Sequence, residues 1–144
     1  MKKLELNKKE ILEFQQNRDP YLMIDHATEI IPGEKASGYK DLKSDEWFFK
    51  VHWPNDPNMP GMLQLESLTQ MCALAIFTLP NNKGKIVYLT TINSVRFFTK
   101  VTPSNRLYID TKINKFSRGL AHCVGEARIK EKIVCKAEFN LVLP

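Results

Sequence analysis

The fold is decided by one stretch of the chain, VHWPNDPNMPGMLQLESLTQMCALAIF (Val51–Phe77). Its first half, 51–61, carries three prolines within seven residues, which excludes a helix interior or a central strand. We expect a stiff, irregular loop there. Its second half, Met62–Phe77, contains neither Pro nor Gly and predicts a helix that ends before Pro80. Apolar residues cover more than one stripe of this helix, so it is predicted to be buried on most sides.

The sequence on both sides of this stretch predicts β-structure. Expected strands cover Tyr21–Asp25, Ala36–Leu42, Ile86–Phe98, Arg106–Phe116, Ala121–Ile129 and Ile133–Leu143. Arg106–Phe116 alternates between apolar and polar residues, which is typical of a strand with one buried face. A turn at Lys130–Lys132 predicts a hairpin between the last two strands. The expected architecture is α+β, a long central helix wrapped by a curved antiparallel sheet.

Length and composition are those of one globular domain over residues 1–144, with 1–17 as an N-terminal extension carrying a short helix at Lys8–Phe14. The net charge of +5 suits an acidic partner, but basic residues are scattered, so no nucleic acid is expected. The longest apolar run, Met71–Phe77, is too short for a membrane span, and no secretory signal is present at the start. We therefore expect a cytoplasmic protein. Three widely spaced cysteines predict neither disulfides nor a metal site.

Three residues of the deciding stretch are candidates for chemistry. His52 lies where the proline loop begins, whereas His26 and His122 lie in strand-like runs and are expected to be structural. Glu66 interrupts an apolar helix, and a carboxyl held in an apolar cleft has a raised pKa, as an acid or base requires. Gly61 begins the helix, where free backbone N–H groups can polarise a carbonyl. Each signal also has an ordinary structural explanation.

Together, however, the order and spacing of these residues resemble those of the β-hydroxyacyl-(acyl carrier protein) dehydratases of bacterial fatty acid synthesis, which have a hot-dog fold. The matching positions are His52, Pro54, Pro57, Met59, Pro60, Gly61, Leu63, Glu66 and Gln70. Further similarity lies in Asn17–Asp25, Val95–Phe97, Val101–Pro103 and Gly125–Ala127. The resemblance extends from about Arg18 to Leu143.

The resemblance implies roles for the candidate residues. His52 would remove the α-proton of a β-hydroxyacyl thioester, and Glu66, supplied by the neighbouring subunit's helix, would assist departure of the hydroxyl. The Gly61 N–H would polarise the thioester carbonyl. Three further residues would bind substrate: Met59, Gln70 and Tyr88, the last as lining or gate of the acyl tunnel.

The same resemblance implies the partners of the protein. The substrate would be an acyl chain on the phosphopantetheine arm of acyl carrier protein, and no metal or other cofactor is implied. The active assembly would be a homodimer or a trimer of dimers, formed by edge-to-edge pairing of the sheets.

The chain also departs from the family pattern. The departures are Val51 in place of a Gly, Asn55-Asp56 between the prolines, Gln64, Ser67 and Thr69 on the helix, and Pro103-Ser104-Asn105 after a later strand. They leave His52 and Glu66 intact but predict a specialised relative, with a shorter or more polar substrate pocket. A hydratase, a thioesterase and a non-catalytic acyl-binding subunit are the alternatives.

Overall fold

A computed structural model describes residues 2–144 of the chain. Its elements are β1 (Leu4–Leu6), α1 (Lys8–Phe14), β2 (His26–Ile31), β3 (Lys35–Leu42), α2 (Trp47–Val51), α3 (Gly61–Phe77), β4 (Tyr88–Phe97), β5 (Asn105–Ser117), β6 (Leu120–Ile129) and β7 (Lys132–Val142). All seven strands form one antiparallel sheet in the order β1-β2-β3-β5-β6-β7-β4. The expected α+β architecture, a long helix against an antiparallel sheet, is confirmed.

Helix α3 forms the centre of the core, as its sequence predicts. Only Gly61, Met62, Leu63 and Glu66 of this helix escape full burial. The face of the sheet that covers α3 includes the predicted inward side of β5, namely Leu107, Ile109, Thr111 and Ile113. Strand β3 approaches the helix closely at Gly38, where a Cβ atom would lie 2.7 Å from Met71 Cε. Because α3 has very little exposed surface, Glu66 is partly buried by the elements packed around the helix.

The predicted strand Tyr21–Asp25 is wrong. The segment is irregular and β2 begins at His26, because the backbone of 21–23 bonds to a turn at Arg18 and to a side chain instead of to a neighbouring strand. Gln70 of α3 accepts from Met23 N at 2.8 Å and donates to Tyr21 O at 2.9 Å. The apolar character of the segment reflects burial against the core and not pairing in the sheet.

Two short elements were not predicted from the sequence. Strand β1 pairs with β2 at one edge of the sheet, and α2 immediately precedes the proline loop. Helix α1 lies where it was expected and begins with a capping box between Asn7 and Glu10. Helix α1 packs against the core, with Ile11 fully buried.

Strand β4 differs from the other long strands because it is exposed on both faces and lies at the end of the sheet. Its neighbourhood carries exposed apolar side chains: Ile86, Tyr88, Leu89, Ile92, Phe97 and Phe98. An edge strand with apolar side chains on both faces is a ready template for pairing with another strand.

Candidate active site

The imidazole of His52 is held by the loop that follows it. His52 caps the C-terminus of α2, and its Nδ1 lies 3.1 Å from the carbonyl oxygen of Asn58. A carbonyl only accepts, so this hydrogen bond requires the proton of the neutral ring on Nδ1. Nε2 is then left with a free lone pair, which is the state that a general base needs.

The loop closes on itself around His52. Asn58 donates to the carbonyl oxygen of His52 twice, from its backbone N at 3.0 Å and from Nδ2 at 3.1 Å. The Trp53 indole ring lies against the imidazole, with centroids 4.3 Å apart. Asp56 forms an ion pair of 2.7 Å with Lys100, which joins the loop to the segment after β4. The imidazole itself is therefore held by contacts within the loop, at Asn58 and Trp53.

Met59 anchors the loop to the core. It is buried, its N donates to Val101 O at 2.8 Å, and its carbonyl oxygen accepts from Gln64 Nε2 at 3.1 Å. These contacts place the start of α3 beside the loop. A packing role accounts for Met59, and its predicted contact with substrate stays a prediction.

Gly61 is the first residue of α3, where backbone N–H groups have no partner within the helix and the helix dipole adds partial positive charge. The end of β4 reaches this point, because a Cβ atom on Gly61 would lie 2.8 Å from Phe97 Cζ. Lack of a side chain allows the Phe97 ring to approach the helix start. The amide end of α3 thus lies between the proline loop and the edge strand.

Glu66 lies one turn further along α3, in a different environment. Gln70 Nε2 donates to Glu66 Oε2 at 2.8 Å, and the same nitrogen donates to Tyr21 O. Burial raises the pKa of the Glu66 carboxyl above its usual range, while hydrogen bonds from Gln70, Tyr21 and Thr69 act in the opposite direction. A carboxyl whose pKa is raised in this way holds its proton more tightly than an exposed glutamate does, as a general acid requires.

The structure brings Glu66, Gln70 and Tyr88 together, as lining of one cleft of about 190 Å³. His52, Gly61 and Met59 do not line it. Five residues of α-helix turn the chain by about 140°, so Glu66 points to a different side of α3 from Gly61. Within one chain the candidates therefore form two groups, one at the proline loop and one in the cleft.

Two of the three unusual polar residues of α3, Gln64 and Ser67, do not contribute to the more polar substrate pocket that the sequence predicted. Gln64 donates to the Met59 carbonyl oxygen, and Ser67 Oγ donates to Leu63 O at 3.1 Å. Neither lines the cleft; Thr69 does, with its hydroxyl donated to Glu66 O at 2.9 Å. The side chains of Gln64 and Ser67 therefore do not add to the polarity of the cleft.

A larger depression, of about 770 Å³, lies on the face of the sheet opposite α3. Its lining includes charged side chains of both signs, among them Lys112, Glu126 and Lys136, but none of the candidate residues. Size alone would select this depression, yet the cleft at Glu66 contains the carboxyl with the raised pKa. The cleft at Glu66 is the candidate site because it also contains Gln70 and Tyr88, whereas none of the candidate residues lines the depression.

The other two histidines are held by carboxylates on the sheet. His26 Nε2 lies 2.7 Å from Glu5, and His122 Nε2 lies 2.8 Å from Glu138. Two residues of the site were missed from the sequence. Asn58 was present in the quoted loop but its closing role was not evident. Tyr21 lay within the similar stretch Asn17–Asp25, but nothing in the sequence showed that its backbone lies beside Glu66.

Over residues 2–144, no cluster of three or more His, Cys, Asp or Glu side chains could hold a metal ion. The three cysteines are buried and unbridged. None of the helices described is long and apolar enough to cross a membrane.

Comparison with solved structures supports the fold. The chain aligns with a structure titled as the dehydratase heterocomplex ApeI:P from Xenorhabdus doucetiae at TM-score 0.78 and 12% identity, covering 93% of this chain and 90% of that one. A homologue of HP0420 from Helicobacter felis aligns at TM-score 0.70 and 14% identity, covering 95% and 89%. At identities this low, the two alignments show a shared fold alone.

Sequence comparison shows the family. The model of the FabA-like domain matches residues 16–138. The 3-hydroxyacyl-[acyl-carrier-protein] dehydratase FabZ of Syntrophomonas wolfei is 37% identical over 143 residues, covering 99% of both chains. The enzyme of the same name from Roseiflexus castenholzii is 38% identical over 138 residues, covering 96% of both. These matches, together with the hot-dog fold, show that this chain is a member of the FabA-like dehydratase family.

Proposed function

We propose that the protein removes water from a 3-hydroxyacyl thioester carried by acyl carrier protein, giving the trans-2-enoyl thioester. The observation that carries this proposal is the state of two side chains. The His52 ring is held with Nε2 free, and the Glu66 carboxyl is half-buried with a raised pKa. A base and an acid of this kind are what β-elimination of water requires.

In the proposed reaction, Nε2 of His52 takes the proton from the α-carbon. The electron pair of that C–H bond forms the double bond between the α- and β-carbons. The bond from the β-carbon to its hydroxyl oxygen breaks, and Glu66 gives its proton to the departing oxygen, which leaves as water. His52 ends protonated and Glu66 ionised, so transfer of one proton between them or through solvent restores the enzyme.

Gly61 would supply the third function. Removal of an α-proton places negative charge on the thioester carbonyl oxygen, and the backbone N–H at the start of α3 can donate to that oxygen. The helix dipole favours the same charge. Tyr88, half exposed beside Glu66 in the cleft, would contact the acyl chain.

The active unit would contain two chains. Glu66 and His52 belong to separate groups within one chain, and β4 leaves an exposed apolar strand at the edge of the sheet. Pairing of β4 with its counterpart would cover this edge and bring the partner's cleft toward the proline loop. A homodimer is the minimum under this proposal, and a trimer of dimers would satisfy it equally.

The carrier protein is proposed from the names of the curated relatives, which are 3-hydroxyacyl-[acyl-carrier-protein] dehydratases. The net charge of +5 suits a partner of opposite sign. The proposed location is the cytoplasm, where that carrier would be met.

The test is a set of 3-hydroxyacyl thioesters of different length and polarity, on carrier protein and on coenzyme A, with products identified by mass spectrometry. We expect loss of 18 Da to the enoyl product from the wild-type protein and none above background from His52→Ala. Release of free thiol would indicate a thioesterase. Tight binding of thioesters without any product would indicate a non-catalytic subunit.

A further inference from the structure

The cleft at Glu66 extends well beyond the carboxyl. Its floor is a single face of α3, because the residues that this helix contributes follow the spacing of one helix face: Glu66, Thr69, Gln70, Ala73 and Phe77. At a rise of 1.5 Å per residue, Ala73 lies about 10 Å and Phe77 about 16 Å from Glu66 along the helix axis. The cleft is therefore a trough that leads from the candidate acid to the last turn of α3.

Two other segments line this trough, Gln15–Asn17 and Lys85–Leu89. The first leads to Tyr21, whose carbonyl oxygen accepts from Gln70 in the middle of the floor. The second leads into β4, the exposed edge strand, and its first residue, Lys85, is exposed to solvent. The trough thus runs beside the edge where a second chain is proposed to pair.

The trough is closed at the C-terminal end of α3. Asn82 Nδ2 donates to the carbonyl oxygen of Ile76 at 3.0 Å, which holds the following segment against the last turn of the helix. Two residues further on, Gly84 N donates to Phe14 O at 2.9 Å, and Gly84 O accepts from Gln16 Nε2 at 2.7 Å. These bonds fasten the segment after α1 to the segment after α3 and so close this end.

Polar side chains contribute to the lining, but their hydrogen-bonding groups are largely used within the protein. The Gln15 amide donates to Asn17 O at 2.8 Å and accepts from Asn17 N at 2.6 Å. Both ends of the Gln70 amide are also bonded. Beyond Gln70 the floor consists of the hydrocarbon side chains of Ala73 and Phe77. A polar tail buried there would lack partners, so the trough favours an alkyl chain.

We propose that Ala73 and Phe77 set the length of the acyl chain: the alkyl tail runs from Glu66 over the small side chain of Ala73 and ends against the Phe77 ring. This inference rests on the proposed dehydration at Glu66. Ala73 and Phe77 keep 7% and 5% exposure, whereas Leu74 between them has none, so both reach the surface of the trough. Its volume of about 190 Å³ is below the about 300–1,000 Å³ of typical ligand pockets. The substrate class is therefore a 3-hydroxyacyl thioester of medium length with an unsubstituted tail.

The test is the ratio of kcat/KM for the 3-hydroxydecanoyl thioester to that for the 3-hydroxybutyryl thioester. In Ala73→Leu this ratio should fall about 10-fold or more, because each methylene group that is no longer buried costs about fourfold in binding. Phe77→Leu should raise the ratio of 3-hydroxyhexadecanoyl to 3-hydroxydecanoyl about threefold, since it shortens the side chain at the closed end. Gln64→Leu places the same side chain on α3 outside the lining and should keep both wild-type ratios.

Equal ratios in wild type and in Ala73→Leu, with both proteins folded by circular dichroism, overturn the proposal. Where Ala73→Leu does not fold, Phe77→Leu decides by the same rule. Turnover of a 3-hydroxyacyl thioester with a terminal carboxylate, at the rate of the 3-hydroxydecanoyl thioester, also overturns it.

Binding measurements separate this inference from the proposed function. Saturated acyl thioesters of coenzyme A, from butyryl to hexadecanoyl, have no hydroxyl to lose, so calorimetric titration reports the preferred length without turnover. A decanoyl affinity that falls relative to butyryl in Ala73→Leu supports the length role even where no thioester is dehydrated. Dehydration by wild type with the same length dependence in both variants overturns the length role and leaves the proposed function in place.

Discussion

The two ends of the candidate site are built in opposite ways. The proline loop is local: His52, Asn58 and Gly61 lie within ten residues of each other, and the hydrogen bonds that hold the imidazole come from the loop itself. The cleft is assembled from distant segments, since Glu66 is reached from residues near positions 21, 88 and 141. The surroundings of His52 can therefore be recognised in a sequence motif, whereas the surroundings of Glu66 depend on the whole fold. Five predictions test this difference.

The largest expected effect concerns the separation of the two ends within one chain. His52→Ala and Glu66→Gln should each lower kcat/KM by about 10²- to 10⁴-fold, the usual contribution of a general base or acid. If each active site takes one residue from each chain, mixing the two variants after dissociation should restore about one quarter of wild-type activity, because half of the dimers then contain one intact site. No recovery in properly mixed dimers contradicts the shared site.

Glu66→Gln also provides its own folding control. The folded protein holds the Glu66 proton more tightly than the unfolded chain, because burial raises the pKa of this carboxyl. Wild-type stability should therefore fall as the pH rises from the ordinary Glu pKa through the raised value. The variant lacks this dependence. The Tm of the variant minus that of wild type should therefore increase across that pH interval.

The next effect tests the long-range construction of the cleft. Gln70→Leu removes three hydrogen bonds at once and leaves the Met23 N–H and the Tyr21 carbonyl without their partner. We expect a loss of about 2 to 4 kcal/mol in the free energy of unfolding and a shift of the Glu66-dependent limb to higher pH. Gln64→Leu is the matched control on the same helix, since it removes one hydrogen bond, to the Met59 carbonyl oxygen, that does not involve the carboxylate. Equal pH profiles for the two variants would contradict the role of Gln70.

A smaller effect tests the local construction of the loop. Asn58→Ala removes the side-chain bonds to the carbonyl oxygens of His52 and Asp56, at 3.1 and 2.8 Å. The backbone bond to the imidazole remains, so we expect kcat to fall by only about 3- to 10-fold, with about 1 kcal/mol lost in unfolding free energy. Asn55→Ala, an exposed neighbour in the same loop, is the control and should behave as wild type.

The smallest effect concerns the ion pair between Asp56 and Lys100. Both side chains are about half exposed, at 49% and 59%, so solvent screens their attraction. Lys100→Ala should leave kcat unchanged and Tm within about 1 °C of wild type, as measured by calorimetry. A large loss of activity would show that the loop depends on the 97–105 segment more than its own hydrogen bonds suggest.

The sequence predicted correctly those elements whose pattern is local, and it failed where a distant residue decides the structure. The helix from 61 to 77 and the later strands were found because their burial patterns are written into consecutive residues. The 21–25 segment was misread as a strand, because an apolar run indicates burial but does not reveal which group takes its backbone hydrogen bonds. That group is Gln70, 47 residues away from Met23.

By itself, the sequence determined the family, the stiff proline loop, the buried helix and the pairing of His52 with Glu66 as candidates, since spacing along the chain is sufficient for each. The tertiary structure alone decided that Gln70 joins Glu66 to the segment at Tyr21, that the cleft excludes His52, and that β4 lies exposed at the sheet edge. The physical reason is that the raised pKa of a carboxyl and the exposure of a strand edge depend on what packs around them. Those neighbours come from parts of the chain that only folding brings together.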